Sequence, residues 1–179
     1  MSDRGPMPPE GQLALIGEIA DVACDLGIDV WLRGGWAVDF FVGRVTREHL
    51  DIDFFAWSDE AKGLVAALPK HGYEPLTGPP PDQQRDFMKA GEEVSVALLG
   101  RDAAGQPLVG GGPWAGEPFP EARMHPVTGR IDDLRCAIQD PVGQITTKLM
   151  MPVWVPGRPR RTKDAVDIER LRAALQGAD

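Results

Sequence analysis

The sequence predicts an α+β protein, a mixed β-sheet with helices packed mostly against one face. Three features lead there. Helical apolar spacing occurs at both ends of the chain, two short apolar segments read as strands on either side of a short helix, and the middle switches to alternating runs broken at glycine, the pattern of an antiparallel meander. The 179 residues, 42% hydrophobic and 26% charged, are ordinary globular usage. The expected layout is a flexible tail over 1–8 and one domain over 9–179.

A first helix is expected from Pro9 to about Leu26, with Leu15, Ile19, Val22 and Leu26 along one face and Gly27 suited to the C-cap. DVWLRG (29–34) reads as a short buried strand stopped by Gly34-Gly35. WAVDFFVG reads as a short helix ended by Gly43, and DIDFFAW as the second strand. Ser58 followed by Asp59-Glu60 is a helix start, and that helix should run to about Lys70. Residues 84–110 form the meander, 111–130 are rich in Gly and Pro and should be mostly loop, and a strand is expected near 131–138. Asp140-Pro141 makes an N-cap and N1 pair for a helix through about Met151. A Pro/Arg-rich loop then leads to a last helix from Lys163 to about Gln176.

The formal net charge is −8. Such a balance disfavours a nucleic-acid backbone as partner and favours cationic or neutral small molecules. Cys24 and Cys136 both have apolar neighbours and are expected as small buried hydrophobes rather than a disulfide. The polar, proline-rich opening is not a signal peptide and no apolar run approaches the roughly 18 residues of a membrane helix, so a cytoplasmic protein without a membrane partner is expected.

The chemistry concentrates in GGWAVDFFVGRVTREHLDIDFF (34–55). Positions i and i+2 of a strand share a face, so Asp51 and Asp53 project side by side while Ile52 points into the core. A divalent cation makes such a pair tolerable, and Mg²⁺ takes one or two carboxylates together with phosphate oxygens and water. The alternative is an exposed strand edge with solvated aspartates. Gly34 and Gly35 at a strand end, with a short helix behind them, offer backbone N–H groups to phosphates. Strand, Gly-Gly, helix and a strand bearing Asp-x-Asp together provide one place for a triphosphate and another for its metal.

The run RGGWAVDFFVGRVTREHLDIDFF resembles the core of the nucleotidyltransferases related to DNA polymerase beta, and more narrowly the aminoglycoside and lincosamide resistance group, with its Gly-Gly-Trp, Thr-Arg-x-His and Asp-x-Asp elements. The resemblance covers about residues 31–57, with a fainter echo at Lys148 and at RTKDAVDIERL (161–171). It implies a nucleotidyltransferase-like fold in which Asp51 and Asp53 ligate magnesium, and Gly34, Gly35 and Arg44 or Arg47 touch the triphosphate. His49 falls in the matched run, as a phosphate or substrate contact or as a hydrogen-bonded strap for the loop. Trp36 is expected to pack rather than to stack on a base.

The resemblance also implies a third carboxylate, which active members of that superfamily usually carry on a neighbouring strand as metal ligand or general base. Here the strand is EEVSVALL. Glu93, on the face of Ser95 at the strand start, is the candidate, ahead of Glu92 and Asp102; the bland reading of Glu92-Glu93 is a solvated hairpin flank. Asp164 is a second candidate, because Asp164, Ile168, Leu171 and Leu175 fall on one helix face; it either serves the helix dipole or, beside Arg161 and Lys163, orients a phosphate-binding lysine. Lys148, in an otherwise uncharged helical stretch, either snorkels to solvent or reaches the phosphates. Arg158, Arg160 and Arg161 form a basic cluster that reads as a solvated loop, a triphosphate clamp or a nucleic-acid patch.

The function expected is an enzyme that moves a nucleoside monophosphate from a nucleoside triphosphate to a hydroxyl of a small molecule, an aminoglycoside or lincosamide antibiotic being the acceptor the resemblance implies. Mg²⁺ is the expected metal, with Mn²⁺ as a substitute. Alternatives are a toxin-type nucleotidyltransferase acting on transfer RNA or protein, and a non-catalytic nucleotide-binding member of the fold. The base and the acceptor are not legible in the sequence.

Overall fold

A computed structural model describes residues 8–119, 127–154, 157 and 159–177. The elements in order are α1 (Pro9–Asp25), β1 (Val30–Arg33), α2 (Gly34–Val42), β2 (Asp51–Trp57), α3 (Ala61–Ala67) with a 3₁₀ turn at Leu68–His71, β3 (Glu74–Leu76), β4 (Gln84–Lys89), β5 (Glu92–Arg101), β6 (Pro107–Val109), β7 (Val127–Ile131), β8 (Leu134–Ile138), α4 (Pro141–Trp154) and α5 (Thr162–Gln176). The strands form a mixed sheet in the order β3-β4-β5-β2-β1-β8-β7, with β6 added on β5. The β2/β5 and β1/β8 pairs are parallel and the rest antiparallel.

Strand alternation divides the sheet into two chemistries. On one face Leu32, Ile52, Phe54, Val94, Val96 and Ile138 pack with Ile16 and Ile19 of α1, Trp36 and Phe40 of α2 and Leu64 of α3, forming the main core. The opposite face carries a smaller apolar cluster of Trp31, Phe55, Trp57 and Leu99. Further along that second face, towards the start of β2, stand the aspartates. Burial of the core side chains, at about 25 cal/mol per Å² of apolar surface, is what fixes the register of β2. A slip by one residue would turn Ile52 and Phe54 outward and both aspartates inward.

Several expectations need correction. The helix after β2 starts at Ala61 rather than at Ser58, because the Ser58 N–H still donates to the Leu99 carbonyl and prolongs the strand pairing, while Asp59 and Glu60 grip Arg101. The strand expected near 131–138 is the hairpin β7–β8, turned by Asp132 and Asp133 with Asp132 at φ +49°. Short β3 was not anticipated, and α4 continues past Met151 through Pro152 to Trp154. Cys136 is buried, and burial pushes its thiol up to about 12, but Cys24 is exposed. The tail over 1–7, Arg158, and residues 120–126 of the expected loop lie outside the described residues. Among the described residues no helix is long and apolar enough to cross a membrane.

Candidate active site

A cleft of about 410 Å³ opens on the second face of the sheet, between the N-terminus of α2 and the helices α4 and α5. Gly34 and Gly35 line it, and each is a glycine for a different reason. Gly34 has φ +69°, which disfavours any side chain, and a Cβ there would lie 2.9 Å from Asp53 Oδ2. Gly35 has ordinary dihedrals, but a Cβ would overlap the Arg47 guanidinium and the His49 ring. The two glycines also begin α2 rather than merely preceding it, so they carry first-turn N–H groups, which have no partner within a helix.

The carboxylates come from the strand register. Parallel pairing sets Asp51 beside Glu93 and Asp53 beside Ser95, and antiparallel pairing brings Asp86 beside Ser95 and Arg33 beside Asp53. Asp51, Asp53 and Glu93 thus share one face, and all three line the cleft. Partial burial, and then the negative charges of Asp86, Asp51 and Asp53, push the Glu93 carboxyl above its ordinary 4.5. Arg33 Nη2 donates to Asp53 Oδ1 at 3.1 Å, and its guanidinium lies 5.2 Å from the centre of the Phe55 ring. Among the described residues, no three carboxylate, histidine or cysteine side chains assemble a metal cage. A hard, phosphate-borne Mg²⁺ does not require one: one or two carboxylates suffice when phosphate oxygens and water complete the shell. The donor set therefore fits such an ion.

Cations face these carboxylates from the helical side. Lys148 Nζ of α4 lies 3.0 Å from Asp167 Oδ2 and 3.5 Å from Asp164 Oδ1. Arg161 Nε lies 2.8 Å from Asp164 Oδ2, and its pKa is raised by that hydrogen bond and, among weaker causes, by the charge of Asp51. Lys163 also lines the cleft. Burial opposes ionisation of Asp164, but the hydrogen bond from Arg161 and the charge of Lys148 overcome it and hold the carboxyl below 3.8. In Asp167, burial is likewise outweighed, here by the hydrogen bond from Arg47 and the charge of Lys148.

His49 and Arg44 are corrections to the sequence reading, since neither lines the cleft. His49 is 4% exposed, stacked on Trp36 behind the glycines. Its Nε2 lies 2.7 Å from Asp39 Oδ2 and its Nδ1 3.1 Å from Arg47 Nη1. Because a guanidinium only donates, Nδ1 accepts and Nε2–H donates to Asp39. This is the strap alternative. Arg44 is exposed, just past the end of α2, and its N–H donates to the Asp39 carbonyl. Trp36 packs as expected, 1% exposed, with its indole N–H donating to Gln12. Glu92 is buried on the core side and accepts from Gln12, whereas Asp102 accepts from the N–H groups of Ala104 and Gln106 in its own turn. Neither competes with Glu93. Arg160 is exposed and outside the cleft lining.

The structure adds residues that sequence reasoning passed over. Arg33 shares the Asp53 face of the sheet and directly precedes the glycines, a placement strand alternation contains. Asp167 is 1% exposed and is the buried carboxylate on α5, while Asp164, 13% exposed at its side chain, sits nearer the rim. Its position, three residues after Asp164 and four before Leu171, lies on the same helical stripe.

A family model described as aminoglycoside-2''-adenylyltransferase matches residues 15–105, just over half of the chain. A 2''-aminoglycoside nucleotidyltransferase of Klebsiella pneumoniae is 40% identical over 57 residues, 32% of this chain and 32% of the relative. A lincosamide resistance protein of Staphylococcus haemolyticus is 34% identical over 56 residues, 31% of this chain and 35% of the relative. The matched segment thus spans about a third of the length of these curated relatives. Among solved structures, the lincosamide antibiotic adenylyltransferase LnuA with lincomycin bound superposes with a TM-score of 0.72 at 16% identity, over 95% of this chain and 99% of that one. ANT(2'')-Ia in complex with adenylyl-2''-tobramycin superposes with a TM-score of 0.70 at 21% identity, over 94% and 91% of the two chains.

Proposed function

Because the chain belongs to the aminoglycoside-2''-adenylyltransferase family, we propose that it transfers a nucleoside monophosphate, adenylate from ATP, to a hydroxyl of an aminoglycoside or lincosamide antibiotic and releases pyrophosphate. The observation that carries this reading is the meeting of Asp51, Asp53 and Glu93 on one face of β2 and β5, opposite Lys148 and Arg161 and beside the first turn of α2. Residues 9–179 act as one domain in this reading, and the cytoplasm, where nucleoside triphosphates are made, is its setting.

Asp51 and Asp53 would hold Mg²⁺, for which Mn²⁺ substitutes. When bound, the ion supplies charge neutralisation at the phosphates and lowers the pKa of a coordinated hydroxyl. The chain's own groups do the rest. The Gly34 and Gly35 backbone and the cations Arg47, Lys148, Arg161 and Lys163 bind and orient the triphosphate, a task of positioning and electrostatics. Glu93, which pairs with Asp51 across β2 and β5 and lines the same cleft, is the group to take the acceptor proton, as a carboxylate placed beside the metal strand can. The net charge of −8 suits a cationic acceptor.

The test is incubation with Mg²⁺ and ATP labelled in the α-phosphate, against a panel of aminoglycosides and lincosamides. Label should move to an antibiotic as pyrophosphate appears. Pyrophosphate release with none of the panel, using each of the four nucleoside triphosphates in turn, overturns the proposal.

A further inference from the structure

Behind the cleft, cations from three parts of the chain converge on one carboxylate. Arg47, from the loop before β2, approaches Asp167 through Nε at 3.4 Å and Nη2 at 3.1 Å. Lys148 comes from α4 at 3.0 Å, and Arg170 from α5 itself at 3.6 Å. The carboxylate is 1% exposed at its side chain, whereas Lys148 and Arg47 are 9% and 23% exposed and line the cleft. Asp167 thus lies beneath its cations as seen from the cleft.

We infer that Asp167 is a positioning residue: from the last helix it fixes Lys148 and Arg47 against the cleft, so that a phosphate chain meets two cations already oriented. The inference rests on the nucleotide reading above. Arg47 is held at all three of its guanidinium nitrogens, by Asp167 through Nε and Nη2 and by the Glu48 carbonyl and His49 through Nη1. Gly35 leaves the space in which that guanidinium and the His49 ring lie. Lys148 has three donors, so two carboxylate neighbours leave capacity for an incoming anion. A buried ion pair gives little net stability compared with apolar packing, which makes stability alone a poor reason for the cluster. Holding flexible side chains in place before the ligand arrives removes the ordering cost from the binding step.

The probe is inorganic tripolyphosphate with Mg²⁺, titrated against the wild-type chain and the variants Asp167→Asn, Lys148→Met and their combination, with MgATP alongside. Asp167→Asn should weaken tripolyphosphate by about tenfold or more, the scale of one charge-assisted hydrogen bond, and by a smaller factor once Lys148 is gone, because only Arg47 then remains to be positioned. Asp167→Glu keeps the buried charge but shifts the carboxylate by one methylene, so it covers the case in which the Asn variant does not fold; the same direction of loss is expected. Glu18→Gln, which breaks the distant Glu18–Lys89 pair, should lower the melting temperature without altering tripolyphosphate affinity. Unchanged affinity in folded Asp167 variants, or losses that simply add in the double variant, would overturn the positioning role while leaving the nucleotide reading intact. A wild-type chain that binds neither tripolyphosphate nor MgATP overturns both.

Discussion

The two walls of the cleft handle charge in opposite ways. On the sheet wall, Asp51, Asp53, Glu93 and Asp86 crowd together through strand register, with Arg33 reaching into the group. On the helical wall, Asp164 and Asp167 are enclosed by Arg47, Lys148, Arg161 and Arg170. The difference shows in the carboxylates themselves, since Glu93 is pushed up and Asp164 and Asp167 are held down. A wall of repelling carboxylates is complete when a cation joins it, and a wall rich in cations when an anion joins it. A metal–triphosphate brings both.

Substitutions that remove a charge should therefore have different costs on the two walls. The largest effects are on turnover. Glu93→Gln should lower the transfer rate by about 10²–10⁴-fold, the scale of a general base, with nucleotide affinity nearly unchanged. Asp51→Asn should cost about 10²–10³-fold or more, yet leave the melting temperature of the metal-free protein equal or higher, because a like charge beside Glu93 is gone. Full activity in either variant breaks the assignment of that residue.

Next in size is the opposite response on the helical wall. Asp167→Asn leaves Lys148, Arg47 and Arg170 around a neutral amide and should lower stability by about 3–5 kcal/mol, the scale of breaking a buried pair. Denaturant titration reads this directly, and a loss no larger than that of Asp51→Asn would erase the contrast. Gly34→Ala should cost about 1–2 kcal/mol for the left-handed backbone alone, with further loss from the approach to Asp53.

The smallest effect is in pH. Glu93 binds its proton more tightly folded than unfolded, so its contribution rises as pH falls towards 4.5. Asp164 and Asp167 are depressed, so their contribution is present above 3.8 and is lost as pH falls through their lower folded values. Removing Glu93 should flatten the first limb of the stability profile and leave the second. A first limb that persists in Glu93→Gln contradicts the upward shift of the Glu93 carboxyl, which burial and then its acidic neighbours produce.

Local pattern made the sheet wall readable. Asp51 and Asp53 follow from the period of two, Glu93 from the same period on the neighbouring strand, and the Gly34-Gly35 turn from its place between a strand and a helix. Asp140 as cap was equally local, its Oδ1 accepting from the N–H groups of Val142 and Gly143. The helical wall was less readable because its partners are far apart in the chain: Arg47 and Asp167 are separated by 120 positions, and nothing local announces their meeting. Asp164 stands out in the sequence because it leads an apolar stripe, whereas Asp167 belongs to the same stripe, lies deeper and carries no local signal of its own. The two readings of His49 are not separable locally for the related reason that its neighbour in sequence, Asp51, is not its neighbour in space; Asp39 and Trp36 are.

The central claim is that Asp51 and Asp53 form a wall completed by a cation arriving with the nucleotide. Its most direct measurement is the melting temperature with and without Mg²⁺ and ATP, in the wild type and in Asp51→Asn. At a hundred times the dissociation constant, binding to the folded state is worth about 2.7 kcal/mol, so the wild type should gain a readily measured shift and the variant should lose the metal-dependent part of it. An equal metal-dependent gain in Asp51→Asn would contradict the account.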